Sequence, residues 1–341
     1  MGPMAPGKTV SRLPTISPRT FQRLAAATAA SYALLVVTGG AVRLTGSGLG
    51  CHDWPTCSQH SFIAGDSFHP LVEFSNRMVT IAVSVVSVAT FLAALRRPPF
   101  RRDLTWLSGG LVIGLIAQIV LGGLVVLFKL NPYLVALHFL LTFVILADAL
   151  ALWHRGRQAQ GPQVAVVQPE LVWLIRLVLL TLCALVTAGT VVTGAGPHAG
   201  APGTPRIPVA FRDVAELHAD IALFLIGLTL ATLFGLHVAK APTAVQRRAR
   251  ILLECLAVQG TLGYTQYFLH DAAGVIELHL AGATAVWYSA VRLHLTLRRP
   301  VLATAEADLP AATRPAPVAV GASPLPSAAR AVRSDLGDAR A

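Results

Sequence analysis

The chain has 341 residues, of which 54% are hydrophobic and 13% are charged. In soluble domains about a quarter of all residues are charged, so this composition excludes an ordinary soluble globular protein. Lys and Arg outnumber Asp and Glu by 27 to 16, a formal net charge of +11, but they form short clusters between apolar runs. This spacing argues against nucleic-acid binding. Four cysteines exclude a disulfide-dense scaffold.

Long apolar stretches predict an all-α polytopic membrane protein with eight transmembrane helices. Each stretch has about 20 residues, enough to cross the hydrocarbon core of a bilayer. The first is long and has seven more behind it, so we interpret it as a retained helix rather than a signal peptide. In chain order the predicted spans are 24–42, 78–95, 104–128, 130–147, 177–196, 221–238, 251–269 and 272–291.

The distribution of basic residues predicts the orientation of these spans. Arg and Lys concentrate in alternate loops and just after the last span, at 96–102, 155–157, 240–250 and 298–299. The positive-inside rule therefore predicts that both termini are cytoplasmic. The tail 300–341 is rich in Ala and Pro without apolar periodicity, and we expect it to be disordered.

Two halves of the chain carry the same spacing of polar residues. Gln118 precedes His138 by 20 residues, and Gln259 precedes His279 by the same distance. Each half begins on the predicted cytoplasmic side, so the repeat predicts two parallel four-helix bundles related by a pseudo-twofold axis along the membrane normal. The predicted domains are 1–22, a cytoplasmic segment; 23–160 and 161–299, the two bundles; and 300–341, the tail.

Ionisable groups inside membrane spans are costly and by default indicate function. His138, His218 and His279 occupy repeat-related positions near the predicted outer helix ends. Two imidazoles facing each other across a four-helix bundle are typical of a bis-His haem site. The alternative is hydrogen-bonded core histidines. Zinc fits poorly, because two His in apolar surroundings lack a third ligand.

The motif around Glu73 allows two interpretations. Glu73 and Asn76 share a helix face, and a carboxylate facing a bundle centre could transfer protons. Alternatively, Glu73 and Arg77 form an i,i+4 ion pair that ties the mouth of the helix.

Cys51 and Cys57 lie in the first predicted outer loop. Their six-residue separation through a Gly- and Pro-containing turn is compatible with a disulfide. A redox-active dithiol and a metal site with His52 or His60 remain open alternatives.

Several of these segments resemble one enzyme family. Residues 38–51 (TGGAVRLTGSGLGC) with 53–57 (DWPTC), residues 69–77 (HPLVEFSNR) and residues 190–200 (TVVTGAGPHAG) are similar to motifs of the haem A synthases. The resemblance covers about residues 20–297. Each motif alone is weak, but together they are specific.

The resemblance implies an oxidoreductase of the bacterial plasma membrane that oxidises the C8 methyl group of haem O to a formyl group. The product, haem A, serves aa3-type cytochrome c oxidase. His218 and His279 then fall on the axial ligands of haem b, and His138 on a ligand of the substrate haem. Glu73 falls on an essential carboxylate. Cys51 and Cys57 match family members with an outer-loop disulfide.

One position departs from the family pattern. Many members carry a second His three residues after the glutamate, where this chain has Asn76, so the substrate haem would be held by His138 alone. Arg43 or Arg77 could pair with the haem propionates, and His69 could contact a haem edge. The implied partners are a haem O synthase, an electron donor of unknown identity, membrane lipid and, potentially, a second copy of the chain.

Two rival functions remain at this stage. A dihaem b-type membrane electron carrier predicts two bis-His sites, and Asn76 argues against the first of them. A haem transporter predicts spans broken by Gly or Pro near the middle of the membrane, whereas the glycine clusters here lie mainly at the predicted outer helix ends.

Overall fold

Eight long α-helices make up most of the part of the chain that the structure, a computed structural model, describes: residues 15–59 and 61–301. The predicted all-α class and the eight helices are confirmed. The helices are α1 (Pro18–Leu44), α2 (Phe68–Arg96), α3 (Arg102–Leu127), α4 (Pro132–Gly156), α5 (Pro169–Ala195), α6 (Phe211–Val238), α7 (Thr243–Phe268) and α8 (Ala273–Thr296).

Most of the helices extend beyond the predicted apolar stretches, because hydropathy falls where polar residues begin although the helix continues. The two largest extensions lie at the starts of α2 and α6, each of which begins ten residues before its apolar stretch. These extensions place Glu73, Asn76 and His218 inside helices. Local signals set some of the starts: Ser17 accepts a hydrogen bond from the Thr20 backbone N–H at 3.1 Å, which caps α1.

The helices run alternately up and down, so their ends meet at two opposite ends of the bundle. We call the end formed by residues 97–101, 157–168, 239–242 and 297–301 the basic end. There the backbone N–H of Ile16 bonds to the Arg96 carbonyl and that of Val166 to the Leu297 carbonyl. We call the end formed by residues 45–67 and 197–210 the loop end, where the Gly48 N–H bonds to the Gly200 carbonyl at 2.8 Å.

Small hydroxyl side chains join α1 to α2 within the bundle. The Thr28 and Thr90 hydroxyls lie 2.8 Å apart, and the Ser87 hydroxyl bonds to the Tyr32 hydroxyl at 3.2 Å. Such pairs satisfy polar groups between membrane helices and let the backbones approach.

Large apolar side chains cover the outside of the bundle, where Ile113 is 71% exposed. This outer surface suits contact with lipid.

Six of the described helices, α1 to α6, are long and apolar enough to cross a membrane by length and composition. The chain is therefore a multi-pass membrane protein. α7 and α8 have 26 and 24 residues, but they are not apolar enough to be counted with these six, because polar groups interrupt them. α8 packs against α1, α4, α5 and α7, so much of its surface faces protein. The charged and histidine residues concerned are Arg247, Arg248, Arg250, Glu254, Glu277, His279, Arg292 and His294.

The two halves share an interface formed by α1 and α4 on one side and α5 and α8 on the other. Two strands that the sequence did not predict, β1 (Gln163–Ala165) and β2 (Arg298–Pro300), pair antiparallel at the basic end. They tie the linker between the halves to the residues after α8. The expectations for residues 1–14, for the tail from 302 onward and for His60 lie outside the described residues.

Candidate functional site

His218 and His279 face each other between α6 and α8. The centroids of their rings lie 6.5 Å apart, with the ring planes inclined by 56°. Each His lies about two turns inside its helix, counted from the loop end. The structure therefore brings together the two histidines that the sequence analysis selected as a pair.

Each of the three repeat-related histidines packs against a glycine of the preceding helix. A Cβ atom added at Gly189 would lie 3.1 Å from Cε1 of His218, and one at Gly263 would lie 3.2 Å from Cε1 of His279. Gly122 has the same relation to His138, at 3.2 Å. The glycines thus make room for imidazole rings between adjacent helices.

The repeat noted in the sequence reappears as a repeated hydrogen bond. Gln118 donates through Nε2 to the backbone carbonyl of His138 at 3.1 Å, and Gln259 donates in the same way to the carbonyl of His279 at 2.8 Å. The bonds link α3 to α4 and α7 to α8 at equivalent positions. His138 and His279 therefore occupy matching backbone environments.

The His218–His279 pair fits a metal held between two imidazoles. With metal–nitrogen bonds of about 2 Å on each side, the ring centroids lie roughly 6 Å apart, close to the distance observed. The Nδ1 atoms of both rings are buried and lie against the glycines of the preceding helices, which leaves Nε2 of each ring as the atom that could bind a metal. Within that same part of the chain, no group of three or more His, Cys, Asp or Glu could hold a metal ion. The donor set therefore suits a haem iron better than zinc.

Glu73 is a buried carboxylate, 6% exposed, with a partner at each oxygen. Its Oε2 accepts the backbone N–H of Cys51 at 2.8 Å. Its Oε1 accepts from Nη2 of Arg77 at 2.7 Å. The ion pair that the sequence offered as one alternative is therefore present. Two donors thus fix the direction of this carboxylate.

Arg77 clasps the loop in front of Glu73. Besides its bond to the carboxylate, its guanidinium donates to the backbone carbonyls of Asp53, Pro55 and Thr56. Arginine suits this role because its planar group presents several donors in fixed directions. The loop is thereby held against the first turns of α2.

Cys51 and Cys57 form a disulfide that closes this loop. Of the three alternatives left open by the sequence, the structure shows this one. Gly50 precedes the bridge and packs so closely that an added Cβ would lie 2.4 Å from the carbonyl oxygen of His69. A side chain at this position would push the loop away from α2.

The remaining predicted pocket residues bond within the protein. Asn76 accepts a hydrogen bond from the Thr38 hydroxyl at 2.8 Å, which links α2 to α1. Nδ1 of His69 lies 3.0 Å from the Ser47 hydroxyl. Asn76 is thus hydrogen-bonded to α1, and His69 to the residues just after α1.

Arg43 joins the two halves at the loop end, a contact that the sequence did not reveal. Its Nε donates to the His198 carbonyl at 2.7 Å and its Nη2 to the Thr193 carbonyl at 2.6 Å. His198 in turn lies 3.0 Å through Nε2 from the Asp271 carbonyl. These bonds fix the two outer segments to each other.

A second buried carboxylate, Glu277, lies at the interface of the halves. Both of its oxygens are buried without a partner among the described residues. An added Cβ at Gly40 would lie 2.8 Å from its Oε2, so the carboxylate faces α1. Its position two residues before His279 was visible in the sequence, but the packing that buries it was not.

Comparison with known proteins places the chain in a family. A family model described as cytochrome oxidase assembly protein (COX15-CtaA) matches residues 22–291. The chain belongs to this family. It is also 33% identical over 141 residues to a protein named Heme A synthase of Bacillus pumilus. A protein of the same name from Lysinibacillus sphaericus is 34% identical over 121 residues.

These matches are partial. The first spans 40% of this chain and 45% of the Bacillus pumilus protein, and the second spans 35% of this chain and 39% of the Lysinibacillus sphaericus protein. The family is therefore established over most of the chain, whereas the similarity to individual relatives covers less than half of each.

Replacing both Cys51 and Cys57 by Ser should loosen the loop that covers Glu73. A disulfide closing so short a loop contributes about 2 kcal/mol, so amide hydrogen exchange in residues 51–57 should speed up on the order of tenfold or more. Hydrogen exchange measured by mass spectrometry on the full chain tests this. Residues 197–210 at the same end serve as the internal control. Unchanged exchange at 51–57 would mean that Arg77 alone holds the loop.

Proposed function

We propose that this chain is a haem A synthase that oxidises the C8 methyl group of haem O to the formyl group of haem A. The observation that carries the proposal is the facing pair His218 and His279, together with the single repeat-related histidine His138 and the clasped carboxylate Glu73 in the first half. Family membership supports it. We infer two successive two-electron hydroxylations of the methyl group, after which the geminal diol loses water.

We propose further that α1–α4 and α5–α8 are two related four-helix bundles, and that α7 and α8 cross the membrane with the other six. The matching bonds of Gln118 and Gln259 and the matching glycine–histidine contacts support this arrangement. The basic residues at one end of the bundle support cytoplasmic termini. In the second bundle His218 and His279 would hold haem b, which would carry electrons between the substrate site and the electron-transfer partner.

The first bundle is the proposed substrate site. His138 would hold the iron of haem O, and Asn76, bonded to Thr38, leaves no second histidine at the position where many family members have one. A single protein ligand leaves the sixth position of the iron available for chemistry. The site thus differs from its repeat partner at the one residue that decides the number of ligands.

The geometry of Glu73 supports a role in proton transfer at the methyl carbon. The Cys51 amide and Arg77 hold the carboxylate fixed in direction, so it is positioned to accept the protons released as the methyl group gains oxygen, or to stabilise positive charge developing there. Burial behind the disulfide loop limits access of water. We therefore assign the catalytic role to Glu73.

The propionates of the substrate are best matched by Arg43. All the nitrogens that Arg77 presents to the loop are engaged by three carbonyls and Glu73. In contrast, Nη1 of Arg43 makes no hydrogen bond to the described residues. Arg43 can thus contact a carboxylate at the loop end while its other nitrogens hold the two outer segments.

The direct test is an analysis of the haems extracted from the full chain, expressed together with a haem O synthase. Chromatography with mass detection should find haem A, or its hydroxymethyl precursor, beside haem b. Haem b alone, with haem O and reductant supplied, would contradict the proposal and favour the dihaem electron carrier.

The variant Glu73→Gln refines this test. It should lower haem A formation by at least about a hundredfold, as expected for a group that transfers protons, while haem b content stays unchanged. Glu216→Gln is the matched control, because Glu216 pairs with Arg212 at 2.7 Å, also four residues apart, but is exposed. Equal loss of haem A in both variants, or loss of haem b with Glu73→Gln, would contradict the catalytic role.

Replacing Gly263 by Ala should disturb haem b. The added methyl group would lie 3.2 Å from the His279 ring and displace it by a few tenths of an ångström. We expect a shifted absorption spectrum and a lower midpoint potential or haem content. Gly260→Ala on the same helix is the control, because nothing lies within 4 Å of its added Cβ. Identical spectra for the two variants would argue against His279 as a ligand.

A further inference from the structure

Basic side chains converge on a cavity at the basic end, opposite to the histidine sites. The cavity has a volume of about 190 Å³ and opens between α4, α5, α8 and the two short strands. No carboxylate is among the residues that line it. The polar residues that do so are His154, Arg155, Gln158, Gln163, Arg176, His294 and Arg298.

No residue that lines this cavity forms an ion pair within the described part of the chain. The three ion pairs found there join Arg77 to Glu73, Arg101 to Asp103 and Arg212 to Glu216, and none involves a residue that lines the cavity. Like charges brought together near a low-dielectric interior repel each other. An anion bound among them would remove that cost.

A buried arginine next to the cavity strengthens this imbalance. Arg292 is 7% exposed, and its guanidinium lies over the ring of Trp153 at 5.1 Å. Arg157 lies over the same ring at 5.5 Å, so two cations share one aromatic side chain. Buried charges are usually paired with an opposite charge, and here the described residues supply only the indole and His154.

Gln158 lines the cavity, and its amide orientation is set by His154. Nδ1 of His154 accepts a hydrogen bond from Nη1 of Arg292 at 3.1 Å. If the imidazole is neutral, its proton is therefore on Nε2. The Gln158 amide lies 2.9 Å from that Nε2 and must present its oxygen there. With the amide in this orientation, the NH2 group occupies the other, buried position, where no described residue forms a hydrogen bond with it.

The cavity lies at the level where a membrane meets water. Trp173 on α5 is 66% exposed and carries the Arg176 guanidinium 4.6 Å above its ring. Trp106, near the start of α3 at the same end, is 76% exposed. Exposed tryptophans mark the interfacial region of membrane proteins. The cavity therefore faces headgroups rather than hydrocarbon or bulk water.

We propose that this cavity binds the phosphate of an anionic phospholipid headgroup. Arginine forks suit phosphate oxygens, and basic pockets between membrane helices are typical sites for such lipids. Val172 and Leu295, which also line the cavity, suit the glycerol backbone and the first methylene groups. The lipid would join the end of α4 in the first half to α5 and α8 in the second.

Native mass spectrometry of the full, delipidated chain in detergent tests this proposal. Phosphatidylglycerol should bind saturably and phosphatidylcholine should not compete. The double variant Arg176→Gln/Arg298→Gln should bind phosphatidylglycerol roughly tenfold to thirtyfold more weakly. The pair Arg176→Lys/Arg298→Lys should retain most of the binding, and the two single Gln variants replace the double one if it does not fold.

The control is the double variant Arg19→Gln/Arg102→Gln, which removes the same charge from exposed residues at the same end. It should bind lipid as the unchanged chain does, and circular dichroism should show equal helix content in all variants. Equal weakening in the control would overturn the proposal, because surface charge alone would then explain binding. Displacement of phosphatidylglycerol by equimolar inorganic phosphate would also overturn it, since the site would then serve the free ion.

Discussion

The packing of an imidazole against a glycine of the preceding helix is the contact on which the two proposed haem sites depend. A histidine ring inside an antiparallel helix pair needs space that only a missing side chain provides, and Gly122, Gly189 and Gly263 provide it. In the second half this packing leaves His218 and His279 opposite each other, with ring centroids 6.5 Å apart. The same contact in the first half supports one imidazole, His138.

The halves differ at the position where the family pattern has a second histidine in the first half. This chain has Asn76 there, whose side chain is hydrogen-bonded to Thr38. The first half also has a loop closed by a disulfide, which the described second half lacks. The backbone N–H of Cys51 in this loop and the guanidinium of Arg77 both bond to Glu73. Under the proposed function, the two halves would be similar scaffolds, and a few side chains would suit one to electron transfer and the other to chemistry. Arg43 then fixes the two outer segments to each other across the halves.

Much of this arrangement could be predicted from the sequence, because the signals were local or periodic. Hydropathy located eight helices, and the repeated Gln–His spacing selected His138 and His279. Hydropathy underestimated α2 and α6, since the polar first turns that carry Glu73 and His218 are helical for reasons of packing. α7 and α8 were counted as apolar spans although their polar side chains lower their hydropathy; α8 is sheltered by four other helices.

Other features depend on contacts between distant segments, which one sequence does not display. The bonds of Arg43 to Thr193 and His198, the burial of Glu277 against Gly40 and the strand pair at the basic end all join residues far apart in the chain. The glycine cradles could have been suspected from Gly122 and Gly263, which stand four residues after Gln118 and Gln259. Only the folded structure shows that the imidazole rings of His138 and His279 pack against these glycines.

The most direct measurement is the electron paramagnetic resonance spectrum of the oxidised full chain loaded with haem O. We expect one low-spin signal from bis-imidazole coordination, lost in His279→Ala, and one high-spin signal from iron with a single protein ligand, lost in His138→Ala. Two low-spin bis-imidazole signals of equal intensity would contradict the account, because the first half would then bind its haem as the second half does.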